Sequence, residues 1–261
     1  NTNMNKTVKY PIEAFALAMV LFSSGMKEAM LVGIALIFGD VLLNVIAGQF
    51  QKPVLLSVEV LGALVTVLAI YGALKYNGAD LTTKELFGLL FIALFLVKHF
   101  VQDAAADFTN GASVDFSKVL TIDTCVYIGF VLLGMLREYI SGGVVFSYPL
   151  VQGNFIKSGA GNAFTALIGA GIVLLIIDKV FSSKSSFPSG MLVCLSVLLL
   201  EVPFTWQGIP EISGKILGVI IVAVLYVAYC YLNRKNDVHR ASELPVELLV
   251  LGLFYAAFGL M

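Results

Sequence analysis

The charged and polar residues that interrupt the apolar stretches of this chain are where it could do chemistry. Asp40 and Asn44 lie one turn apart on a helix face, with apolar residues on both sides. His99 and Asp103 are also four apart, so an imidazole and a carboxylate can meet on one face. A paired imidazole can take up and release protons near neutral pH. Lys27 and Glu28 follow a Ser23-Ser24-Gly25 break, Lys98 precedes His99, Asp123 sits inside an apolar run, and Glu201 comes shortly before Pro203. Arg137 and Glu138 stand where a long apolar stretch runs out, ahead of the pair Gly142-Gly143 and a small apolar wedge, Val144-Val145-Phe146. Ionisable groups inside a membrane are costly and usually face a cavity or a partner. At the membrane edge the same residues have plainer roles: lysine snorkels, carboxylates hydrate, and His99 with Asp103 can close a helix end.

Other chemistries find little support. Cys125, Cys194 and Cys230 all fall in apolar runs, at spacings that match no zinc or ferredoxin pattern. Buried cysteine is ordinarily a small hydrophobe, and no structural disulfide is expected. Ser158-Gly159-Ala160-Gly161-Asn162 could present backbone N–H groups to an anion. No strand precedes it and no Lys-Ser/Thr follows, so it reads as a helix start capped by Ser158 or Asn162. The sequence has no Ser-His-Asp arrangement, no HExxH and no metal-spaced His/Cys cluster.

The elements that must position these groups are membrane helices. The chain is 59% hydrophobic and 13% charged, with mean hydropathy +0.95, against about 25% charged in soluble domains. A core of ordinary size cannot use that much apolar surface, so lipid must solvate much of it. The fold class is all-α, a polytopic helical membrane protein. A span takes about 20 apolar residues, and charged residues recur at about that interval. Spans are predicted at 26–48, 54–75, 86–103, 118–140, 160–181, 188–203, 213–233 and 243–261. Residues 12–22 are too short to cross alone and read as a half-helix or the first part of a broken helix. The expectation is eight or nine membrane segments, with at least one short or broken. The net charge of −1 argues against a nucleic-acid partner. Residues 1–10 lead into no small-residue cleavage site, so no removed signal peptide is expected. Arg234, Lys235 and Arg240, with Lys179 and Lys184, mark one side as cytoplasmic, leaving the loop after Gly142 outside.

Weak internal repetition suggests helix triplets at about 11–76, 86–181 and 188–261. Arg137 followed by Asn162-Ala163-Phe164-Thr165 is echoed by Arg234 followed by Leu244-Pro245-Val246-Glu247. Interrupted helices in such repeats mark midplane sites in transporters.

The stretch Gly134-Met135-Leu136-Arg137-Glu138-Tyr139-Ile140-Ser141-Gly142-Gly143-Val144-Val145-Phe146 resembles the Arg-Glu helix end and Gly-containing turn of the Rnf/Nqr integral membrane subunits. The likeness continues through Ala163-Phe164-Thr165-Ala166-Leu167-Ile168-Gly169-Ala170-Gly171. Lys27-Glu28-Ala29-Met30-Leu31-Val32-Gly33-Ile34-Ala35-Leu36 resembles their second helix, and residues 234–259 resemble their final helix pair. Those subunits carry a Cys-Pro in the first broken helix and an Asn-Cys in a later one, and share an iron–sulfur cluster through them. Here the first position reads Val20-Leu21-Phe22-Ser23-Ser24-Gly25. The second falls near Lys98-His99 or at Cys194. Such a cluster takes four thiolates, so no intrinsic iron–sulfur cluster is expected, with Cys194 the one remaining metal-ligand candidate.

The resemblance implies an integral subunit of a membrane electron-transfer complex in the bacterial cytoplasmic membrane. Electrons would pass with a flavin-bearing or quinone-using partner, towards extracellular acceptors. Asp40, Asn44, His99 and Asp103 would line a polar path or quinone pocket, while Arg137, Glu138, Gly142 and Gly143 organise a helix end and a partner contact. The interrupted helices equally fit a small-solute transporter or substrate-binding membrane subunit, and a scaffold for a catalytic partner is a third reading.

Overall fold

The computed structural model describes residues 11–47, 52–110, 116–150, 163–181 and 244–259, with isolated positions between 210 and 231. Seven helices run through the described residues: α1 (Ile12–Phe22), α2 (Met26–Ala47), α3 (Lys52–Tyr76), α4 (Thr83–Asn110), α5 (Phe116–Gly142), α6 (Ala163–Phe181) and α7 (Leu244–Gly259). A hairpin of β1 (Val144–Val145) and β2 (Tyr148–Pro149) follows α5. Four of the helices are long and apolar enough to cross a membrane, over Met26–Ile46, Val54–Tyr76, Val119–Gly142 and Phe164–Phe181. The chain is therefore helical and built for a membrane. Seven described helices are fewer than the eight or nine segments expected; the span at 188–203 and most of that at 213–233 lie outside the described residues.

Local chemistry sets the helix ends. Gly78, at φ +82°, closes α3: its N–H reaches Lys75 O at 3.0 Å and the Ala79 N–H reaches Leu74 O at 3.0 Å, the paired bonds of a glycine C-cap. The next helix opens on a capping box, in which the Thr82 N–H donates to Glu85 Oε2 at 2.7 Å and the Glu85 N–H to Thr82 Oγ1 at 3.4 Å. The six residues between Tyr76 and Thr83 leave α3 and α4 as antiparallel neighbours. α4 runs on past the apolar part of its sequence because backbone hydrogen bonds do not depend on side-chain polarity.

Pro11 opens α1, which is apolar all round and buried on nearly every residue from Ala14 to Phe22. Such a helix belongs in an interior. At 1.5 Å per residue its 11 residues reach about 16 Å, roughly half of a ~30 Å hydrocarbon layer. It lies antiparallel to α4, with Leu21 against Gly88 at one end and Glu13 against Lys98 at the other. The chain then reverses at Ser23-Ser24-Gly25 into α2.

Glycines fix the remaining register. A Cβ at Gly33 would lie 2.5 Å from Tyr127 Cδ2, and one at Gly134 would lie 3.0 Å from both Ala29 Cβ and Gly25 O. These contacts run α2 and α5 antiparallel at close approach, the use small residues serve in membrane bundles. Gly171 meets Leu249 and Pro245 O, and Gly252 meets Leu167 and Ile168, locking α6 to α7. Outward faces carry Ile34, Phe38, Leu61, Leu68, Ile128, Leu132, Ile176 and Val180, an apolar surface suited to lipid.

Candidate functional site

Two polar constellations stand inside this apolar frame. The first is at the reversal between α1 and α2. Arg137 is buried, and its Nη1 donates to Ser23 Oγ at 2.6 Å. Ser23 in turn donates its hydroxyl to Met19 O, one of the carbonyls orphaned where α1 ends. Glu138, the next residue, accepts the Met26 N–H at the start of α2 through Oε2 at 2.9 Å. Its other oxygen, Oε1, accepts the Ser147 N–H of the β-hairpin turn at 2.9 Å. Neighbouring positions on a helix do not face each other. The two side chains accordingly diverge, the cation to a helix C-terminus and the anion to a helix N-terminus, each the end whose dipole favours it.

Gly143 finishes this clasp. At φ +65° its N–H donates to Tyr139 O at 2.8 Å, ending α5. Its own carbonyl accepts the Leu150 N–H at 2.9 Å, which closes the hairpin. Gly142 is still helical, and a Cβ there would approach Val144 Cγ2 at 3.0 Å.

The second constellation is a carboxyl pair. Asp40 of α2 and Asp123 of α5 are both fully buried, and their side chains lie close enough to interact. The glycine contacts explain the meeting. Asp40 is eleven residues on from Ala29, and Asp123 eleven back from Gly134, so the antiparallel register brings them level. Two carboxylates brought together in an apolar interior repel when both are ionised. At 1.5 Å per residue Asp40 lies about 20 Å from the Met26 end of α2, well inside the apolar span.

The other expected residues are placed differently. Asn44 Nδ2 donates to the Asp40 backbone carbonyl at 2.9 Å, so it binds its own helix and not the Asp40 carboxyl. His99 and Asp103 stand one turn apart in α4, but their side chains lie outside the described residues, as do Cys194 and Glu201. Lys98 pairs with Glu13 in the first turn of α1, with Nζ 3.2 Å from Oε2 and 5.5 Å from the Phe95 ring centroid. Among the described residues no group of three or more His, Cys, Asp or Glu is placed to hold a metal ion.

Sequence reading gave Asp123 and Ser23 no partner and passed over Glu59. Asp123 stood out as an ionisable residue within a span, but its partner is fixed only by the register. Ser23 read as a helix breaker; its hydroxyl is also the acceptor for Arg137. Glu59 carried a signal, a lone acid in the span at 54–75, and it is buried, with Oε1 lacking a hydrogen-bond partner. No family model, no curated protein and no solved structure matches this chain.

Proposed function

We propose that the chain is an integral subunit of a membrane electron-transfer complex, distantly like the Rnf/Nqr subunits, working in the bacterial cytoplasmic membrane. The supporting observation is spatial. Described parts of the four stretches that carry the resemblance, far apart in sequence, pack into one continuous unit: Glu138 binds Met26, Gly134 meets Ala29, Gly169 meets Leu133, and Gly171 with Gly252 joins α6 to α7. In this reading the helix triplets at about 11–76, 86–181 and 188–261 form the scaffold. The redox group sits on a flavin-bearing or quinone-using partner, or at the contact with it, in a hetero-oligomer that delivers electrons towards extracellular acceptors. Oxidation of a quinol releases protons with the electrons, and the Asp40–Asp123 pair is built to carry one of them. His99 and Asp103, one turn apart in α4, are the further candidates for the polar path or quinone pocket.

The test is quinol-dependent reduction of an acceptor by the chain purified with its neighbours. Under this reading the complex carries a flavin or haem-like absorption band, and Asp40→Ala lowers electron flux while the protein still folds. A colourless preparation whose solute uptake persists after deletion of redox partners overturns it. That outcome favours the transporter reading, which draws on a separate observation: α1 covers about half the bilayer and has an ion pair, Glu13–Lys98, in its first turn.

A further inference from the structure

The β-hairpin carries an exposed apolar tip with no role in the clasp or the carboxyl pair. Phe146 is 44% exposed, Tyr148 71% and Leu150 63%. Phe146 and Ser147 form the two-residue turn between Val145 and Tyr148, at φ 52° and 66°. Turns of this kind take Asn and Gly by preference. A bulky residue at positive φ is a genuine outlier. A short two-stranded hairpin is also marginal in water on its own. Here Glu138 Oε1 holds the turn through the Ser147 N–H, and Gly143 holds the base. The fold thus keeps a strained turn in place and points its aromatic tip away from the protein.

We infer that this tip is an interfacial membrane anchor, seated among lipid headgroups beside the end of α5. Position argues for lipid. Val119–Gly142 has 24 residues, about 36 Å of helix against a hydrocarbon layer of ~30 Å. Gly142 is the last residue of that span, and the hairpin begins two residues later, at Val144. Ile128, Leu132 and Leu136 form an exposed apolar stripe along α5 at one-turn spacing, and the exposed apolar tip follows at the end of that helix. The side chains suit the depth: Tyr and other aromatic residues with a wet edge concentrate where chain region and headgroups meet. No charged residue occurs from Ser141 to Leu150 to oppose insertion. Because Glu138 binds both the hairpin and Met26, an anchored hairpin also sets the depth of the α1–α2 reversal.

The sequence contains one tryptophan, Trp206, which permits a direct test. In a Trp206→Phe background, Tyr148→Trp and, separately, Leu150→Trp are reconstituted into phosphatidylcholine vesicles with bromine placed shallow or deep on the acyl chains. Leu132→Trp reports correct insertion. The anchor predicts a blue-shifted emission at positions 148 and 150, quenched more by shallow than by deep bromines, while position 132 is quenched more by deep ones. Water-like emission without quenching at 148 and 150, beside a normally quenched 132, overturns the inference. A blue shift without bromine quenching, seen only in the complex with partner subunits, also overturns it and assigns the tip to a protein contact.

Discussion

Glu138 Oε2 lies 2.9 Å from the backbone nitrogen of Met26, a residue 112 positions earlier in the chain. One carboxylate on the last turns of α5 thereby caps α2 and, through its other oxygen, steadies the hairpin that follows. Charge-assisted bonds to backbone N–H groups are the stronger class. Glu138→Ala is expected to lose about 1–3 kcal/mol of stability, with Glu138→Gln closer to the parent because it keeps an acceptor. Thermal unfolding in detergent checks both, and a Glu138→Ala protein as stable as the parent contradicts the clasp.

Arg137 is expected to act with Ser23. Removing either breaks the same hydrogen bond, so Arg137→Ala and Ser23→Ala should not add. The double variant should fall short of the sum of the singles by about 0.5–3 kcal/mol, the range for residues in one network. A double-mutant cycle on unfolding in denaturant measures the difference; strict additivity would show that the two side chains are not coupled.

The carboxyl pair makes opposite predictions for stability and function. Asp123→Asn keeps the shape of the side chain and offers Asp40 a donor, and is expected to stay within about 1 kcal/mol of the parent. Replacing both acids with leucine should be neutral or stabilising, since buried polar pairs seldom hold a fold together. Both variants should lose electron flux if the pair carries a proton. Melting temperature and quinol-dependent acceptor reduction, measured on the same samples, separate the two effects, and full flux in the double leucine variant removes the pair from the route.

Glycine substitutions should divide by contact. A side chain at Gly33 collides with Tyr127 and one at Gly134 with the Gly25 carbonyl, whereas a Cβ at Gly72 meets nothing within 4 Å. Gly33→Leu and Gly134→Leu are expected to cost about 1–3 kcal/mol or more through overpacking. Gly72→Ala should gain up to about 1 kcal/mol from helix propensity. Resistance to detergent unfolding ranks the three variants, and a stabilised Gly134→Leu would be incompatible with the α2–α5 register.

Phe146→Gly should relieve the left-handed turn and stabilise the protein by about 1 kcal/mol. It should also weaken the apolar tip. Calorimetry in detergent, where bilayer seating does not contribute, isolates the backbone effect, and a clear loss of stability there would mean that the Phe146 ring packs on the protein.

Much of the frame was legible from local rules. The predicted spans at 26–48, 54–75, 118–140 and 160–181 match α2, α3, α5 and α6 within about three residues, and the short segment at 12–22 is α1. Hydrophobic length, the Ser23-Ser24-Gly25 break and the Gly143 stop are properties of neighbouring residues, so a sequence can display them. The site was less legible. Asp40 read as a buried polar group but was matched with Asn44, its neighbour by periodicity, while its carboxyl lies beside that of Asp123. Arg137 and Glu138 read as one unit at a helix end, though helical geometry sends them to different termini. By itself, then, the sequence determined that lipid is the solvent, where the helices run and where the chain must reverse. The tertiary structure decided which buried groups meet, because partners across α2 and α5 depend on an antiparallel register set by glycine contacts more than 90 residues apart in the chain, beyond the reach of any local pattern.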